Sequence, residues 1–418
     1  MGACGRAAGC SHPAPLAIPI SAILATVMVK DSLPSDAVLS STSPATKRPD
    51  SKVGVRCPVA IRGLGVAPPP RVIEQGRAAE ISTAFVYGDA KQKRAVPALF
   101  RRTRVRRRGS VLLESDPGNG PEQSFYQPAT SLEDRGPTTA LRMQRYEAEA
   151  GPLAAIAAQR ALTAAQIAPH RITHLINVSC TGFFAPGIDV ALIRQLGLPP
   201  TVGRVQVGFM GCHGVLNGLC LTRAFVEADP SAHVLLCAVE LCSLHFQYGS
   251  APDQLVANAL FADGAAALVA AAAVEANDPW QIAATTSLLL PDCEEAMSWR
   301  IGDHGFEMTL SATVPAVIAS HVRPWLEDWL HTHELSVATV GSWAIHPGGP
   351  RILESVAAAL GLPANATVAS VEILADRGNM SSASVLFVLD RLQKTGAPRP
   401  TVMLAFGPGL VAEAALLI

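Results

Sequence analysis

Twice along this 418-residue chain a helix pattern leads into an apolar strand, the strand ends in a small-residue loop bearing one polar or reactive side chain, and a second helix pattern follows. In the first half, "PLAAIAAQRALTAAQI" reads as a helix, "ITHLINVSCTG" as a strand with its loop, and "GIDVALIRQLGL" as a helix. "HVLLCAVEL" is a further strand, followed by the Gly/Ala segment "ALFADGAAALVAAAA". In the second half "HVRPWLEDWLHTHEL" is helical, "VATVGSWAIHPGG" is a strand entering a glycine loop, and "PRILESVAAALGL" is a helix. Alternation of this kind specifies an α/β fold, and its repetition predicts two similar layered halves packed face to face. The halves are expected over 53–275 and 276–418, with the dividing point near residue 276, after the alanine run. Loops at the strand ends of such halves converge at their junction, which is where a site is expected.

With 49% apolar and 16% charged residues, the chain has the composition of a protein with an extensive core rather than a disordered one. A net charge of -1 gives no global attraction to nucleic acid or an acidic membrane. One local imbalance stands out: "KQKRAVPALFRRTRVRRR", residues 91–108, carries nine Lys or Arg and no acid. It reads either as a solvated helix face or as a cationic mouth for a phosphorylated small molecule, since guanidinium forks match phosphate oxygens. No aromatic platform accompanies it, which disfavours single-stranded nucleic acid. The nine cysteines are odd in number and scattered through apolar segments, so they read as reduced thiols. Cys237, Cys242 and His245 lack a fourth ligand at metal-binding spacing and read as core residues.

Residues 1–52 are rich in Ala, Ser and Pro, with one apolar stretch from Pro15 to Val29 that is too short for a comfortable membrane span. They read as a disordered or targeting extension. The expected location is cytoplasmic, or organellar or secretory if that segment is a targeting signal.

Three residues could make one site. Cys212, in "GFMGCHGVLNGL", sits among Gly208, Gly211, Gly214 and Gly218, which suit close approach of backbone to a ligand. A helix starting just after it would place the thiol at a positive dipole end. His346 ends an apolar strand in "SWAIHPGGP", and Asn379 lies among small residues in "RGNMSSASV". A cysteine nucleophile with a histidine and an asparagine as hydrogen-bond donors fits acyl transfer through a thioester. The order Cys, His, Asn also fits a papain-like protease, although the sequence around Cys212 does not.

The stretches "GFMGCHGVLNGL", "ALFADGAAALV", "WAIHPGGPRILESV", "RGNMSSASVLFVLD" and "AFGPGLVAEAALL", in this order from Val55 to Ile418, resemble the type III polyketide synthases, the chalcone-synthase-like branch of the thiolase-fold condensing enzymes. The resemblance implies a layered thiolase-like fold with duplicated βαβαβ halves. It makes Cys212 the acyl-carrying nucleophile, and His346 with Asn379 the pair that binds the malonyl-CoA carbonyl, promotes decarboxylation and stabilises the enolate. It makes Phe261 a gate between the CoA tunnel and the cavity, where Met308 replaces a second phenylalanine of plant members. Cys180, where plant enzymes tend to carry Thr, and Ser381 line the same cavity by analogy. Arg102 matches a family cation at the CoA phosphates, with Arg94 and Arg101 as substitutes where Ala95 and Ala98 replace others. Gly348 and Gly349 would let the pantetheine pass, and Ala185 would reach across a twofold dimer interface.

"GCHG" and "SCTGF" look more like bacterial and algal members than plant ones. The implied partners are malonyl-CoA, a starter acyl-CoA and a second copy of the chain, with no nucleic acid, no stable membrane insertion, no metal and no cofactor beyond the CoA thioesters. An initiating ketoacyl-carrier-protein synthase, with the same three residues on the same fold, is the alternative. An imidazole close to Cys212 is expected to hold it as thiolate at neutral pH.

Overall fold

Apolar residues facing alternately up and down from each strand set the architecture, because a strand with two buried faces needs a layer on each side. A computed structural model describes residues 57–88, 90–114, 123–274 and 280–418. The extension over residues 1–52 and the dividing point near residue 276 lie outside them. Residues Val55–Ile418 form one compact unit.

The first sheet comprises β1 (Val59–Ala67), β4 (His174–Ser179), β5 (Gly203–Gly208), β6 (His233–Leu241) and β7 (Asp263–Ala272), in the order β1-β7-β6-β4-β5. The second comprises β8 (Ile282–Leu289), β11 (Ser342–Ile345), β12 (Thr401–Gly407) and β13 (Val411–Leu417), in the order β11-β12-β13-β8. The two share one plan. In the first, β1 and β7 are antiparallel, β7 and β6 antiparallel, and β6 and β4 parallel. In the second, β8, β13, β12 and β11 repeat that series of directions. The duplication expected from the sequence is therefore present in the strand pairing.

Strand alternation then assigns the layers. On β6, Val234, Leu236 and Ala238 face a central core, while Leu235, Cys237 and Val239 face an outer one. On β12, Met403 and Ala405 face the same central core and Val402, Leu404 and Phe406 a third. The central core holds α5 (Gly214–Ala228) and α10 (Ser384–Lys394) between the two sheets. The outer layers are α3 (Thr139–Ala165) with α4 (Ile188–Leu196), and α7 (Val314–His331) with α8 (Pro350–Leu360). The order is α, β, α, β, α, with the N-terminal turns of the two central helices buried between the sheets.

Several elements differ from their sequence-based expectation. α3 begins well before Pro152, which lies within the helix on an exposed position. A lost hydrogen bond there is outweighed by the apolar face of a 27-residue helix on the sheet. The strand expected across "VATVGSWAI" is only Ser342–Ile345, because Val337–Thr339 forms a 3-10 turn closed by a capping box. The alanine run, a strong helix former in isolation, is instead the ladder β7 between β1 and β6. Small side chains there, with Gly63 and Gly65 opposite, let α3 lie close on the sheet: a Cβ at Gly65 would be 2.3 Å from the Ala157 carbonyl oxygen.

This close approach is testable. Gly65→Ala is expected to lower the urea unfolding midpoint by the equivalent of about 1–3 kcal/mol. Gly76→Ala, on helix α1 (Gln75–Thr83) with nothing within 4 Å of the added carbon, is expected to leave it unchanged or raise it. Equal midpoints for Gly65→Ala and the wild type would contradict the packing account.

Candidate active site

Each half delivers a tight turn to the start of its buried helix. In the first, β5 ends at Gly208, and the 3-10 turn Gly211–His213 carries Cys212 into α5. Gly211 needs its freedom, with φ of 74° and Pro408 pressed against it. Gly214 and Gly218 serve packing and not ligand approach, a correction to the sequence reading. A Cβ at Gly214 would be 2.9 Å from Val178, and one at Gly218 would be 2.6 Å from Leu236. In the second half, Asn379 precedes the 3-10 turn Ser381–Ala383, which opens into α10.

The two turns meet. The Ser381 hydroxyl donates to Cys212 Sγ at 3.5 Å and lies 3.1 Å from Cys180 Sγ. The side chain of Asn379 reaches the same Cys212 thiol, and its Oδ1 accepts from the Ser381 amide at 2.9 Å. Asn379 also pairs its backbone with the segment of Phe261: its amide donates to the Leu260 carbonyl and its carbonyl accepts from the Ala262 amide, both at 2.9 Å. His346 follows β11 directly, its amide donating to the Leu404 carbonyl at 2.8 Å. It is 2% exposed, and neither ring nitrogen has a hydrogen-bond partner. A buried imidazole without partners is costly unless something is to be bound there.

Burial governs the charges. It pushes the Cys212 thiol up to about 12, with the Glu240 carboxylate adding to the rise and Ser381 and Asn379 opposing it. It pulls His346 down to about 3, helped by the nearby His213. The thiolate expected at neutral pH is thus not what the unliganded site holds. Loss of water outweighs the helix dipole, and no imidazole nitrogen is bonded to the sulfur to offset it.

Of the other expected residues, Cys180 joins the site and its thiol is raised by burial. Phe261 and Met308 line one cavity with Cys242, His245, Trp299 and Phe306, which leave only about 10 Å³ open. His245 is stacked on Phe306 at 4.2 Å and donates from Nε2 to the Thr181 carbonyl, while Nδ1 accepts from the Phe306 amide. Gly348 lies against the His346 ring and Gly349 begins α8. Ala185 is exposed in a groove with Phe183, Phe184 and Arg204.

The basic run divides. Arg94, Arg101 and Arg102 are exposed on α2 (Ala90–Arg102). Arg104 and Arg106 pair with Glu354 and Asp376. Arg108, read from sequence as part of the surface run, is 2% exposed. It donates to the Asn258 and Phe261 carbonyls at 2.5 and 2.9 Å and lies against the Phe100 and Phe246 rings. Glu240, which no sequence signal marked, is also buried. It accepts from the Cys180 amide at 3.0 Å, Thr181 Oγ1 at 2.7 Å and the Ser382 hydroxyl. Among the described residues, no group of three or more His, Cys, Asp or Glu side chains could hold a metal ion, and no helix is long and apolar enough to cross a membrane.

A buried thiol reached by an amide side chain, and a buried imidazole with no hydrogen-bond partner, suit thioester acyl transfer, and comparison with known proteins fixes the family. Residues 46–274 match the model for chalcone and stilbene synthases, N-terminal domain, and residues 281–418 that for the C-terminal domain. The chain belongs to the chalcone and stilbene synthase family. This is the family of type III polyketide synthases, and the match favours it over an initiating ketoacyl-carrier-protein synthase. Among type III polyketide synthases, the chain is 33% identical over 364 residues to the alpha-pyrone synthesis polyketide synthase-like Pks18 of Mycobacterium tuberculosis, covering 85% of this chain and 90% of that one. It is 41% identical over 271 residues to 1,3,6,8-tetrahydroxynaphthalene synthase of Streptomyces peucetius, covering 63% of this chain and 72% of that one. The crystal structure of PKS-I from the brown alga Ectocarpus siliculosus superposes with a TM-score of 0.81 at 29% identity, covering 88% of this chain and 99% of that one.

Two buried neutral histidines, His346 and His245, both drawn down to about 3, make stability depend on acid. Below about pH 6.5 the unfolded chain binds protons that these folded residues refuse, so stability is present above that value and is lost as pH falls. Lowering the pH from 6.5 to 5.5 is expected to cost about 1 kcal/mol for each residue, read from urea unfolding midpoints. The acid loss should be smaller in His346→Gln. An unchanged pH dependence in that variant would contradict a neutral buried His346.

Proposed function

We propose that this type III polyketide synthase joins a starter acyl-CoA to malonyl-CoA units by repeated decarboxylative condensation on Cys212, and releases a cyclised pyrone, resorcinol or phloroglucinol-type product. The observation carrying this reading is the contact of Cys212 with Asn379 at the Ser381 turn, together with a buried His346 whose ring nitrogens have no hydrogen-bond partner.

Cys212 Sγ attacks the starter thioester carbonyl while His346, neutral and free, takes the thiol proton. The carbon–sulfur bond to CoA breaks, and the CoA thiolate leaves with a proton returned from His346. Malonyl-CoA then places its thioester oxygen before the imidazole N–H and the Asn379 amide. As carbon dioxide leaves, the bonding pair moves into the enolate, whose oxygen these two donors stabilise. The enolate carbon attacks the acyl-Cys212 carbonyl, a carbon–carbon bond forms, the sulfur leaves, and the lengthened chain is carried on CoA. Decarboxylation asks for donors rather than a general base, which a buried neutral imidazole supplies.

Phe261 lines two separate spaces, which supports its role as a gate. One is the cavity with Met308, and the other an apolar one lined by Ile73, Ile81, Phe85 and Leu113. Arg94, Arg101 and Arg102 would meet the CoA phosphates as exposed, flexible cations, with the pantetheine passing Gly348 and Gly349. Cys180 and Ser381 would contact the growing chain beside Cys212.

A homodimer is supported by the exposed side of the first sheet. β5 is an edge strand paired only with β4. Beside it Phe183 is 57% exposed and Met210 is 41% exposed, an apolar surface continuous with the turn of Cys212. Ala185 lies in the same groove and would reach the partner's cavity.

Purified protein given malonyl-CoA and starter CoAs of graded length should yield cyclised products by mass spectrometry, none of them with Cys212→Ala. His346→Ala and Asn379→Ala should each slow malonyl-CoA decarboxylation by about 100-fold. Condensation supported only by malonyl-carrier-protein, or undiminished in Cys212→Ala, would overturn the reading.

A further inference from the structure

One buried chain of polar groups lies behind the nucleophile and has no part in the steps above. His213, the residue after Cys212, is 2% exposed and places Nδ1 2.8 Å from Asn217 Oδ1, one helical turn along α5. Asn217 Nδ2 donates to Glu413 Oε1 on β13 at 2.9 Å, and Glu413 is itself 7% exposed. The chemistry of the donors orders this chain without ambiguity. A carboxylate only accepts, so the Asn217 amide must turn its NH₂ to Glu413 and its oxygen to His213. That oxygen only accepts, so His213 must carry its proton on Nδ1 and keep Nε2 at the opposite edge of the ring.

The opposite edge is fixed as well. It lies against Gly407 at the end of β12, where an added Cβ would stand 2.4 Å from Cδ2 and 3.0 Å from Nε2. The imidazole is therefore held on one side by a hydrogen-bonded chain that crosses from α5 to the second sheet, and on the other by bare backbone. Among the elements packed on the Cys212 turn, Glu413 of β13 is a charged group facing the ring; His346, at the end of β11, is a further titratable neighbour of His213. β12 and the Ser381–Ala383 turn carry no titratable side chain.

We propose that Glu413, Asn217 and His213 form a positioning relay for Cys212: the buried carboxylate sets the amide, the amide sets the imidazole tautomer, and the imidazole holds the nucleophile's turn against Gly407. The inference rests on the reading of Cys212 as the acyl carrier. It adds residues that support the thiol without touching the reacting atoms. Nothing in the backbone forces a histidine at this position, since the turn Gly211–His213 is closed by its own main chain.

The test reads the thiol directly. In the full-length enzyme, the rate of Cys212 alkylation by iodoacetamide is followed by peptide mass mapping, beside kcat and KM for malonyl-CoA. His213→Ala is expected to slow both alkylation and kcat by tenfold or more while KM stays within twofold. His213→Gln retains a donor for Asn217 Oδ1 and should recover most of the loss. Glu413→Gln, similar in size but able to present either amide atom, should reduce alkylation at least threefold with an unchanged unfolding midpoint. That variant carries the test if His213→Ala fails to fold. Alkylation within twofold of wild type in His213→Ala or Glu413→Gln, or a His213→Gln as impaired as His213→Ala, overturns the relay. Alkylation needs no CoA substrate, so failure of the relay is separate from failure of the polyketide reading, which product analysis decides.

Discussion

The Glu240 carboxylate is the interaction on which the site depends. It is fully buried at the end of β6 and binds the Cys180–Thr181 loop of its own half through the Cys180 amide and Thr181 Oγ1. It binds the other half through the Ser382 hydroxyl, at the turn that opens α10. Burial pushes this carboxyl above the usual carboxylate range, its hydrogen-bond donors oppose that rise, and the donors come from both halves. The requirement for donors brings the two turns together, and Ser381, next to Ser382, is thereby placed between Cys180 and Cys212. Removing either set of donors would leave a buried carboxyl group short of partners next to the Ser381 turn.

The same burial determines how the enzyme works. The thiol is raised and the imidazole lowered by loss of water, so both are neutral at neutral pH rather than a permanent ion pair. In the proposed mechanism a neutral imidazole would accept a proton from the thiol in one half-reaction and donate to an enolate oxygen in the other. Low polarity also strengthens each hydrogen bond to developing charge and keeps water from a reactive enolate. The aromatic packing of His245, Trp299 and Phe306 lines the same space as Phe261 and Met308 and keeps it narrow.

Much of the layering was legible because burial on two faces leaves its mark in sequence: "HVLLCAVEL" is β6 to the residue, and "GIDVALIRQLGL" contains α4 with Gly197 at its end. The trio was legible as chemistry, and its assembly came from resemblance, since 167 residues separate Cys212 from Asn379 along the chain. Other features were not. Glu240 looks like any polar residue at a strand end, because its donors lie 59 to 142 positions away. Arg108 is indistinguishable from its exposed neighbours until β3 (Arg107–Gly109) turns it inward. Gly214 and Gly218 suggested ligand approach, whereas the contact that forbids a side chain is with Val178 and Leu236 across the layer. His213 gave no signal because its meaning depends on Glu413, 200 residues downstream.

The central claim is that one buried thiol, selected among several, carries the acyl group. It is tested most directly by peptide mass mapping of the enzyme after brief incubation with a starter acyl-CoA alone. The account predicts a single acyl adduct on the peptide containing Cys212, with Cys180, Cys237 and Cys242 unmodified. An adduct on Cys180, or on none of these residues while products still form, would contradict it.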